Sequence, residues 1–355
     1  MITITHRLKS AMSVLVLAAG TAMAAPAFSE TILRVGTWLP PTNAQNAVVW
    51  PTWAKWVEEA TEGRVKVKVE NSSGHPKTLF QLVEDGVYDA SFSYHGYVPG
   101  RFKLPQIVEQ PGLGVGAEAA SVALWQVYEK YLKDEGEFEG LEVIGMFTHG
   151  PGHIHTKKPI NSFSDLEGMK IRVGGGVQSV LAERMHVTAV GAPAPKVYEM
   201  LQQGVIDGAF LPMMEQKVLR LNEVTTSVTV LPEGLYMGSF SIFVNPEFME
   251  SLEPRDRKAI LAVSGEKLSA MAGRAWDAGD AEGYQAAKAA GVKIVHVSAK
   301  DLMSRQFETL TQGMDEEWLE SVSDRSGDAR QALKELRRIA RGYVPVDATA
   351  VPAAE

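Results

Sequence analysis

The alternation of apolar and polar residues in the amino-terminal third of the chain predicts three strands separated by two helices. Residues 31–37 carry apolar side chains at alternating positions, residues 64–70 alternate valine with lysine, and residues 90–94 form a third short strand. Residues 49–57 place apolar side chains at helical spacing, and residues 78–85 form a helix that closes at Gly86. Strands that alternate with helices in this way predict a parallel sheet with right-handed crossovers.

The rest of the chain predicts a second unit of the same kind, followed by helices. A long helical pattern begins at Glu253-Pro254 and runs to about Ala290, and further helices are expected at residues 298–322 and 328–341. The chain passes from the first α/β domain into the second at about residues 148–155 and returns at about residues 238–244. Two crossings predict a two-segment hinge with a cleft between two lobes, where small molecules bind.

The predicted boundaries follow from these crossings and from the composition of the two ends. Residues 30–150 plus 240–290 are assigned to lobe I, residues 151–239 plus 291–343 to lobe II, and residues 344–355 to a disordered tail. Residues 1–29 read as a cleaved signal peptide, because a basic start is followed by a short apolar core and by small residues that offer cleavage sites. The apolar core is too short to span a bilayer.

The composition narrows the classes of function. The chain has 355 residues, a formal net charge of −8 and no cysteine. An acidic exported chain is a poor candidate for nucleic-acid binding, and the lack of cysteine excludes disulfides and thiolate metal sites. The sequence also has no GxSxG, HExxH or P-loop motif. We therefore predict a binding protein that is not an enzyme and that needs no cofactor.

The segment from Ile160 to Gly208 holds the strongest candidate for a ligand site. A short strand pattern ends at Arg172-Val173, three glycines follow at 174–176, and a helix is expected at residues 178–185. Three consecutive glycines suit a strand-to-helix corner at which bare backbone amides face a ligand. An arginine at such a corner can bind a carboxylate, although most arginines at strand ends are solvated or form weak surface ion pairs.

Two blocks in this segment resemble the signatures of TRAP transporter solute-binding proteins, the DctP family. The first reads INS…DLEGMKIR and ends at Arg172, and the second reads VYEMLQQGVIDG and ends at Gly208. The resemblance covers the chain from Ile32 to about Arg341. It implies an α/β, two-lobed periplasmic binding protein of the Venus flytrap type, with the long helix bracing both lobes. It also implies that Arg172 forms a bidentate salt bridge with the carboxylate of a small organic acid, and that the partners are the small and large membrane subunits of a TRAP transporter.

Several positions depart from the pattern of that family. Gly175 stands where relatives often carry a polar residue, and Phe210-Leu211-Pro212 replaces a triplet that contains asparagine. Gly152 and Tyr94 fall near an arginine and a glutamate of sialic-acid-type members. These changes remove hydrogen-bonding groups, so we expect a carboxylate with few hydroxyls, aromatic or branched, rather than a sugar acid. Sulfonate or sugar-acid binding by the same arginine remains the alternative.

The candidate ligand-binding residues lie at the predicted cleft ends of strands, at the glycine corner or near the hinge. They are Arg172, Trp38, Ser93, Tyr94, His153, Gly175, Phe210, Leu211 and Tyr236. A second reading makes His149, His153 and His155 the ligands of a metal in an exported metal-binding protein. Zinc would need a further ligand that the sequence does not supply, so a strand with one histidine near the ligand is the preferred interpretation.

Overall fold

The computed structural model describes residues 30–71 and 74–345 as a mixed α/β fold with two separate sheets. The predicted signal peptide at residues 1–29 and residues 346–355 of the predicted tail lie outside the described residues. The strands are β1 Thr31–Thr37, β2 Val65–Asn71, β3 Ala90–Tyr94, β4 Glu142–Thr148, β5 Gly152–Thr156, β6 Lys170–Val173, β7 Thr188–Gly191, β8 Gly208–Pro212, β9 Ser227–Val230, β10 Ser239–Val244 and β11 Lys293–His296. The α-helices are α1 Trp50–Ala60, α2 Leu79–Glu84, α3 Ala117–Val127, α4 Val177–Arg184, α5 Val197–Gln202, α6 Glu215–Val218, α7 Pro246–Ser251, α8 Pro254–Ala262, α9 Glu266–Ala289, α10 Leu302–Thr311, α11 Met314–Ser321 and α12 Ala329–Gly342.

The first sheet has the strand order β2-β1-β3-β10-β4. Strand β1 runs parallel to β2 and to β3, as the alternation of strands and helices predicted. One apolar cluster joins the sheet to α1 and α9 and contains Trp50, Trp53 and Trp276. Another cluster joins the sheet to α3 and α12. We call this sheet, with the elements packed on it, the first lobe.

The second sheet has the strand order β11-β9-β5-β8-β6-β7 and forms the second lobe with the helices packed on it. Strand β6 runs parallel to β7 and β8, whereas β5 runs antiparallel to β8 and β9. Its largest apolar cluster includes Ile171 from β6, Leu181 from α4, Phe210 from β8 and Phe307 from α10. Arg172 lies near the carboxyl end of β6, and its side chain reaches Tyr97 of the first lobe.

The strand that follows each of the first two crossings runs against its neighbours. Tyr94 at the end of β3 pairs with Phe240 near the start of β10, and Pro212 at the end of β8 pairs with Gly152 at the start of β5. The segment between β4 and β5 is only a few residues long and leads from the first sheet into the second. Strand β5 therefore begins at the cleft and runs away from the cleft. The hinge segments therefore lie beside the cleft.

The long helix predicted from Glu253 to about Ala290 is two helices in the structure. Gly265 separates α8 from α9 with a φ of +64°, a conformation that glycine adopts without strain. Of these two helices, α9 is the one that contacts both lobes. Its Asp277 accepts hydrogen bonds from Ala117 N and Glu118 N at the start of α3, and Asp280, one turn later, accepts one from Met214 N of the second lobe. The predicted bracing role is thus confirmed for α9.

The carboxyl-terminal helices depart from the predicted lobe assignment. We expected residues 291–343 to join the second lobe, and β11 and α10 do pack there. After α10 the chain crosses again: Trp318 and Leu336 lie in the first-lobe cluster with α3, and Trp318 Nε1 donates a hydrogen bond to Lys103 O at 2.9 Å. The apolar stripe of α12 predicted a packed helix, but a stripe does not identify the surface that covers it.

No helix in residues 30–71 and 74–345 combines the length and hydrophobicity needed to cross a membrane.

Candidate functional site

A small cavity of about 30 Å3 lies between the two lobes, at the strand ends and beside α9. This volume is well below the ~300–1,000 Å3 range of ligand pockets, so the lobes or the wall side chains must move to admit a ligand. Its walls come from both lobes and from both hinge segments. The lining residues are Trp38, Leu39, Tyr94, Tyr97, His149, Arg172, Gln178, Ala194, Leu211, Pro212, Glu215, Tyr236, Phe240 and Trp276.

Arg172 on β6 is the one arginine or lysine among the described residues that is fully buried, with 1% of its surface exposed. Its Nε donates to Ala192 O at 2.8 Å, Nη1 to Phe210 O at 3.3 Å and Nη2 to the hydroxyl of Tyr97 at 3.3 Å. A guanidinium has five N–H bonds, so these three leave one free on each terminal nitrogen. No carboxylate in the described part of the chain forms an ion pair with it. A buried cation without an anionic partner is costly, which favours an anionic ligand here.

The glycine corner after β6 holds the lobes together rather than facing the cavity. The φ angles of Gly175 and Gly176 are +100° and +59°, and a Cβ on Gly175 would lie 2.1 Å from Gly96 O of the first lobe. The first amide of α4, Val177 N, donates to the carboxylate of Glu109 at 3.1 Å. The prediction that bare amides of this corner face the ligand is therefore wrong, because a carboxylate of the first lobe receives the first of them.

Aromatic side chains form most of the cavity wall. Tyr94 lies edge-on to Tyr97 with ring centroids 5.1 Å apart, and Phe240 lies 5.4 Å from Tyr94 and 5.3 Å from Trp276. The tyrosine hydroxyls are held by protein groups: Tyr94 donates to Gly175 O at 3.2 Å and Tyr236 donates to Phe210 O at 3.3 Å. The rings are thus fixed in place and offer apolar faces and edges to a ligand.

Glu109 connects the lobes through a fully buried carboxylate. One oxygen accepts hydrogen bonds from Ser239 N at 3.0 Å and Ser239 Oγ at 2.7 Å, and the other accepts from Val177 N at 3.1 Å and lies 3.3 Å from the hydroxyl oxygen of Tyr94. Burial raises its pKa to about 7. Since Ser239 follows the hinge and Val177 belongs to the second lobe, this carboxylate stabilises the closed arrangement of the lobes.

Glu215 is a second buried carboxyl group, and it lines the cavity itself. Burial, together with the nearby Asp280, raises its pKa to about 8, and the charge of Arg172 acts in the opposite direction. Its Oε2 has no hydrogen-bond partner in the described part of the chain. Burial thus favours the neutral form of the Glu215 side chain.

The structure brings part of the predicted site together. The predicted residues that line the cavity are Arg172, Trp38, Tyr94, Leu211 and Tyr236. The predicted residues that do not line it are Ser93, His153, Gly175 and Phe210.

Each of those four has another position. Ser93 Oγ donates to Pro76 O at 2.7 Å, and the His153 ring lies 6.5 Å from that of Tyr284. Gly175 is at the contact between the lobes, and the Phe210 side chain packs in the core of the second lobe. Phe210 still serves the site through its carbonyl, which accepts from Arg172 and Tyr236. Adjacent strand residues face opposite sides, so Leu211 lines the cavity and the Phe210 ring does not.

The sequence analysis missed several lining residues that carry chemistry. Tyr97, Gln178, Glu215, Phe240 and Trp276 were absent from the candidate list. Tyr97 could have been found, because it follows the third predicted strand at its cleft end. Trp276 shares the helical apolar stripe of α9, a pattern that indicates core packing equally well.

Two of the three histidines of the alternative metal reading bind other groups, whereas Nδ1 of His153 has no partner in the described part of the chain. His149 Nε2 is 3.0 Å from Gly238 N, His155 Nε2 is 2.9 Å from Leu211 O, and His155 Nδ1 is 2.8 Å from the Gln216 side chain. Within the described residues, no three His, Asp, Glu or Cys side chains form a group that could hold a metal ion. The metal-binding alternative is therefore not supported by the fold.

We expect the folded protein to lose stability between about pH 6.5 and about pH 8.5. Glu109 and Asp280 have pKa values raised to about 7 by burial, and that of Glu215 is raised to about 8. A group with a raised pKa stabilises the fold below its unfolded pKa, and this contribution is lost as pH rises through the folded pKa. Four buried histidines have lowered pKa values, so their stabilising contribution rises near an unfolded pKa of ~6.5, offsets part of the loss at the lower end of this window and is constant above about pH 7.5. They are His95, His149, His153 and His155.

Thermal unfolding of the ligand-free protein at the two pH values tests this expectation. A loss of about 1 kcal/mol lowers the melting temperature by roughly 2–4 °C in a protein of this size, so we expect a drop of at least ~3 °C. Glu215→Gln keeps the shape of the side chain but cannot ionise, and should show a smaller drop. An equal drop in both proteins would show that Glu215 does not resist ionisation.

Comparison with known proteins gives a family and close structural likenesses. The profile of bacterial extracellular solute-binding protein family 7, DctP, matches residues 35–320. Outer membrane transporter protein TsaT of Comamonas testosteroni is 31% identical over 321 residues, which make up 89% of this chain and 94% of TsaT.

Two solved structures share the fold over nearly their full length. A TRAP periplasmic solute-binding protein from Bordetella bronchiseptica, with bound (R)-mandelate and (S)-mandelate, matches with a TM-score of 0.85 and 32% identity, and covers 88% of this chain and 99% of that one. A TRAP solute-binding protein from Rhodoferax ferrireducens T118, in complex with copurified benzoate, matches with a TM-score of 0.82 and 30% identity, and covers 88% and 98%. The likeness confirms the predicted two-lobed α/β fold.

Proposed function

Since the chain belongs to family 7 of the bacterial extracellular solute-binding proteins, the DctP family, we propose that it captures an aromatic monocarboxylate in the periplasm and delivers it to the membrane subunits of a TRAP transporter. The family and the structural relatives are solute-binding proteins and not enzymes. The observation that carries the proposal is a buried arginine, without a carboxylate partner among the described residues, facing a cavity walled by aromatic rings.

The carboxylate of the ligand would be bound by Arg172. The two free N–H bonds, one on each terminal nitrogen, match the two oxygens of a carboxylate. The three hydrogen bonds to Ala192, Phe210 and Tyr97 orient the guanidinium before the ligand arrives. Little side-chain entropy is then lost on binding, which supports high affinity.

The rest of the ligand would be an aromatic ring. The tyrosine hydroxyls of the wall are engaged by protein groups, so they supply few free partners for the hydroxyls of a sugar acid. A buried ring instead gains from apolar contact and from edge-to-face packing against Phe240 and Trp276. The mandelate and benzoate bound by the two structural relatives have this chemistry, a carboxylate joined to one benzene ring.

Delivery would depend on closure of the lobes around the ligand. Arg172 and Leu211 belong to the second lobe, whereas Trp38 and Tyr94 belong to the first, and all of them line one cavity. A ligand that touches both lobes binds the closed state more tightly than the open one and shifts the population toward it. The closed surface would then distinguish the loaded protein for the membrane subunits of the transporter.

Calorimetric titration of ligand-stripped protein tests the proposed ligand class. Burying roughly 100 Å2 of ring surface contributes about 2.5 kcal/mol, so benzoate or mandelate should bind at least about tenfold more tightly than glucuronate. Cyclohexanecarboxylate separates aromatic from merely apolar preference, and benzenesulfonate tests the same clamp with a different anion. A sugar acid as the tightest ligand would contradict the proposal, and a sulfonate as the tightest would replace the carboxylate in it.

A further inference from the structure

Glu215 is a carboxyl group in a cavity that otherwise suits an anion. It is the first residue of α6 and follows the end of β8 by three positions, so it lies near the same strand end as Leu211 and Pro212. Its surface is 3% exposed, and it lines the same cavity as Arg172. If this carboxyl group were charged, it would repel an anion bound by Arg172 and weaken binding.

The side chain has an unused hydrogen-bonding atom. Oε2 of Glu215 is buried and has no partner in residues 30–71 and 74–345. Among the residues that line the cavity, only one other buried side-chain atom lacks a hydrogen-bond partner in the described part of the chain, Nε1 of Trp276. Leaving a buried polar group unpaired costs about 1–3 kcal/mol, so such atoms in a binding cavity are expected to pair with the ligand.

The protonation state of the Glu215 carboxyl group decides which ligand groups it can bind. With a pKa of about 8 it is neutral near pH 7, when it offers one O–H donor and an acceptor oxygen. The negative charge of Asp280 favours the neutral form of Glu215, and the positive charge of Arg172 opposes it. A neutral carboxyl does not repel a carboxylate held by Arg172, and both its donor and its acceptor suit a hydroxyl group.

We infer that Glu215 hydrogen-bonds to a single hydroxyl group of the ligand and makes the protein selective for hydroxylated aromatic monocarboxylates over their unsubstituted counterparts. This inference rests on the proposed function and goes beyond it, because it names a specificity-determining residue. An amino group is the less favoured partner, because the positive guanidinium of Arg172 faces the same cavity.

Titration with matched acids measures the preference. Phenylacetate and mandelate differ by a hydroxyl on the side chain, and benzoate and 3-hydroxybenzoate differ by a hydroxyl on the ring, so the two pairs show where the hydroxyl lies. In the unaltered protein we expect at least about a tenfold preference for the hydroxylated member of one pair, the size of the effect when a site built for a hydroxyl is left unpaired. Phenylglycine and 3-aminobenzoate test the amino alternative.

Two variants assign the preference to Glu215. Glu215→Met keeps the length of the side chain and removes the hydrogen bond, so the preference should fall below about twofold. Glu215→Gln still donates and accepts, so it should keep most of the preference. Glu199→Met makes the same chemical change on an exposed helix of the second lobe and should leave the preference intact.

The outcomes separate this inference from the proposed function. If no aromatic acid binds the unaltered protein, the proposed function is wrong and the inference falls with it. If the unsubstituted acids bind but neither pair shows a preference, or if amino compounds bind best, the inference alone is overturned. A preference that survives in Glu215→Met also overturns the inference. If Glu215→Met does not fold, the comparison of Glu215→Gln with Glu199→Met decides: loss of the preference in Glu215→Gln alone contradicts the role of a neutral carboxyl group.

Discussion

Replacing Arg172 with lysine is expected to weaken ligand binding at least about tenfold, and replacement with alanine is expected to weaken it further. Hydrogen bonds to charged groups contribute roughly 1.5–3 kcal/mol each, and about 1.4 kcal/mol corresponds to a factor of ten. Lysine keeps the charge but loses the planar fork that presents two parallel N–H bonds to a carboxylate. It also cannot reproduce the three hydrogen bonds that orient the guanidinium.

The measurement is calorimetric titration of each variant with the best aromatic acid. Arg220→Lys is the matched control, because Arg220 lies in the same lobe, 65% of its side chain is exposed, and it pairs with Glu223 on the surface. That control should bind normally. Near-normal affinity of Arg172→Lys would rule out a bidentate clamp, and melting temperatures of both proteins would show whether folding had changed instead.

Replacing Gly175 with alanine is expected to hold the lobes apart and to weaken binding at least about tenfold. A Cβ at this position would lie 2.1 Å from Gly96 O and 2.9 Å from Gly96 C, which are backbone atoms of the other lobe and cannot move aside as a side-chain tip would. In the open state the same methyl group would face solvent. The substitution therefore raises the free energy of the closed state selectively, and the ligand loses affinity by that difference.

Solution scattering and calorimetry together test this expectation. The unaltered protein should show a smaller radius of gyration with ligand, whereas Gly175→Ala should stay near its ligand-free radius. Gly168→Ala controls for backbone strain, because Gly168 also has a positive φ, +74°, but a Cβ there would meet nothing within 4 Å. If both variants bind and contract alike, contact between Gly175 and Gly96 does not govern closure. If the unaltered protein does not contract at saturating ligand, the cavity works as a rigid pocket.

The amino-acid sequence by itself determined the family, the class of fold and the arginine that we propose as the anion site. Two signature blocks at their expected separation were specific enough for the family, and the profile match over residues 35–320 confirms it. The end of the strand at Arg172-Val173 and the three glycines after it could be predicted from the sequence, because both features depend only on adjacent residues. The parallel pairing of β1 with β2 and β3 likewise followed from the alternation of strands and helices.

The tertiary structure decided which side chains meet at the cavity. Periodicity shows that Phe210 and Leu211 face opposite sides of a strand, but the neighbouring strands and the other lobe decide which side is the cavity. The same holds for α12, whose apolar stripe packs on the first lobe although its sequence follows segments of the second.

The groups that complete the site come from segments far apart in the chain. Glu109 bonds to Val177 and to Ser239, which are 68 and 130 residues away, and Trp276 reaches the cavity from the helix that braces both lobes. The apolar periodicity of a segment predicts that such residues are buried, because it shows which face of that segment is covered. The partner that covers a buried group depends on how the segments pack, and Arg172 and Glu215 line one cavity only because β6 and α6 come together in the folded second lobe.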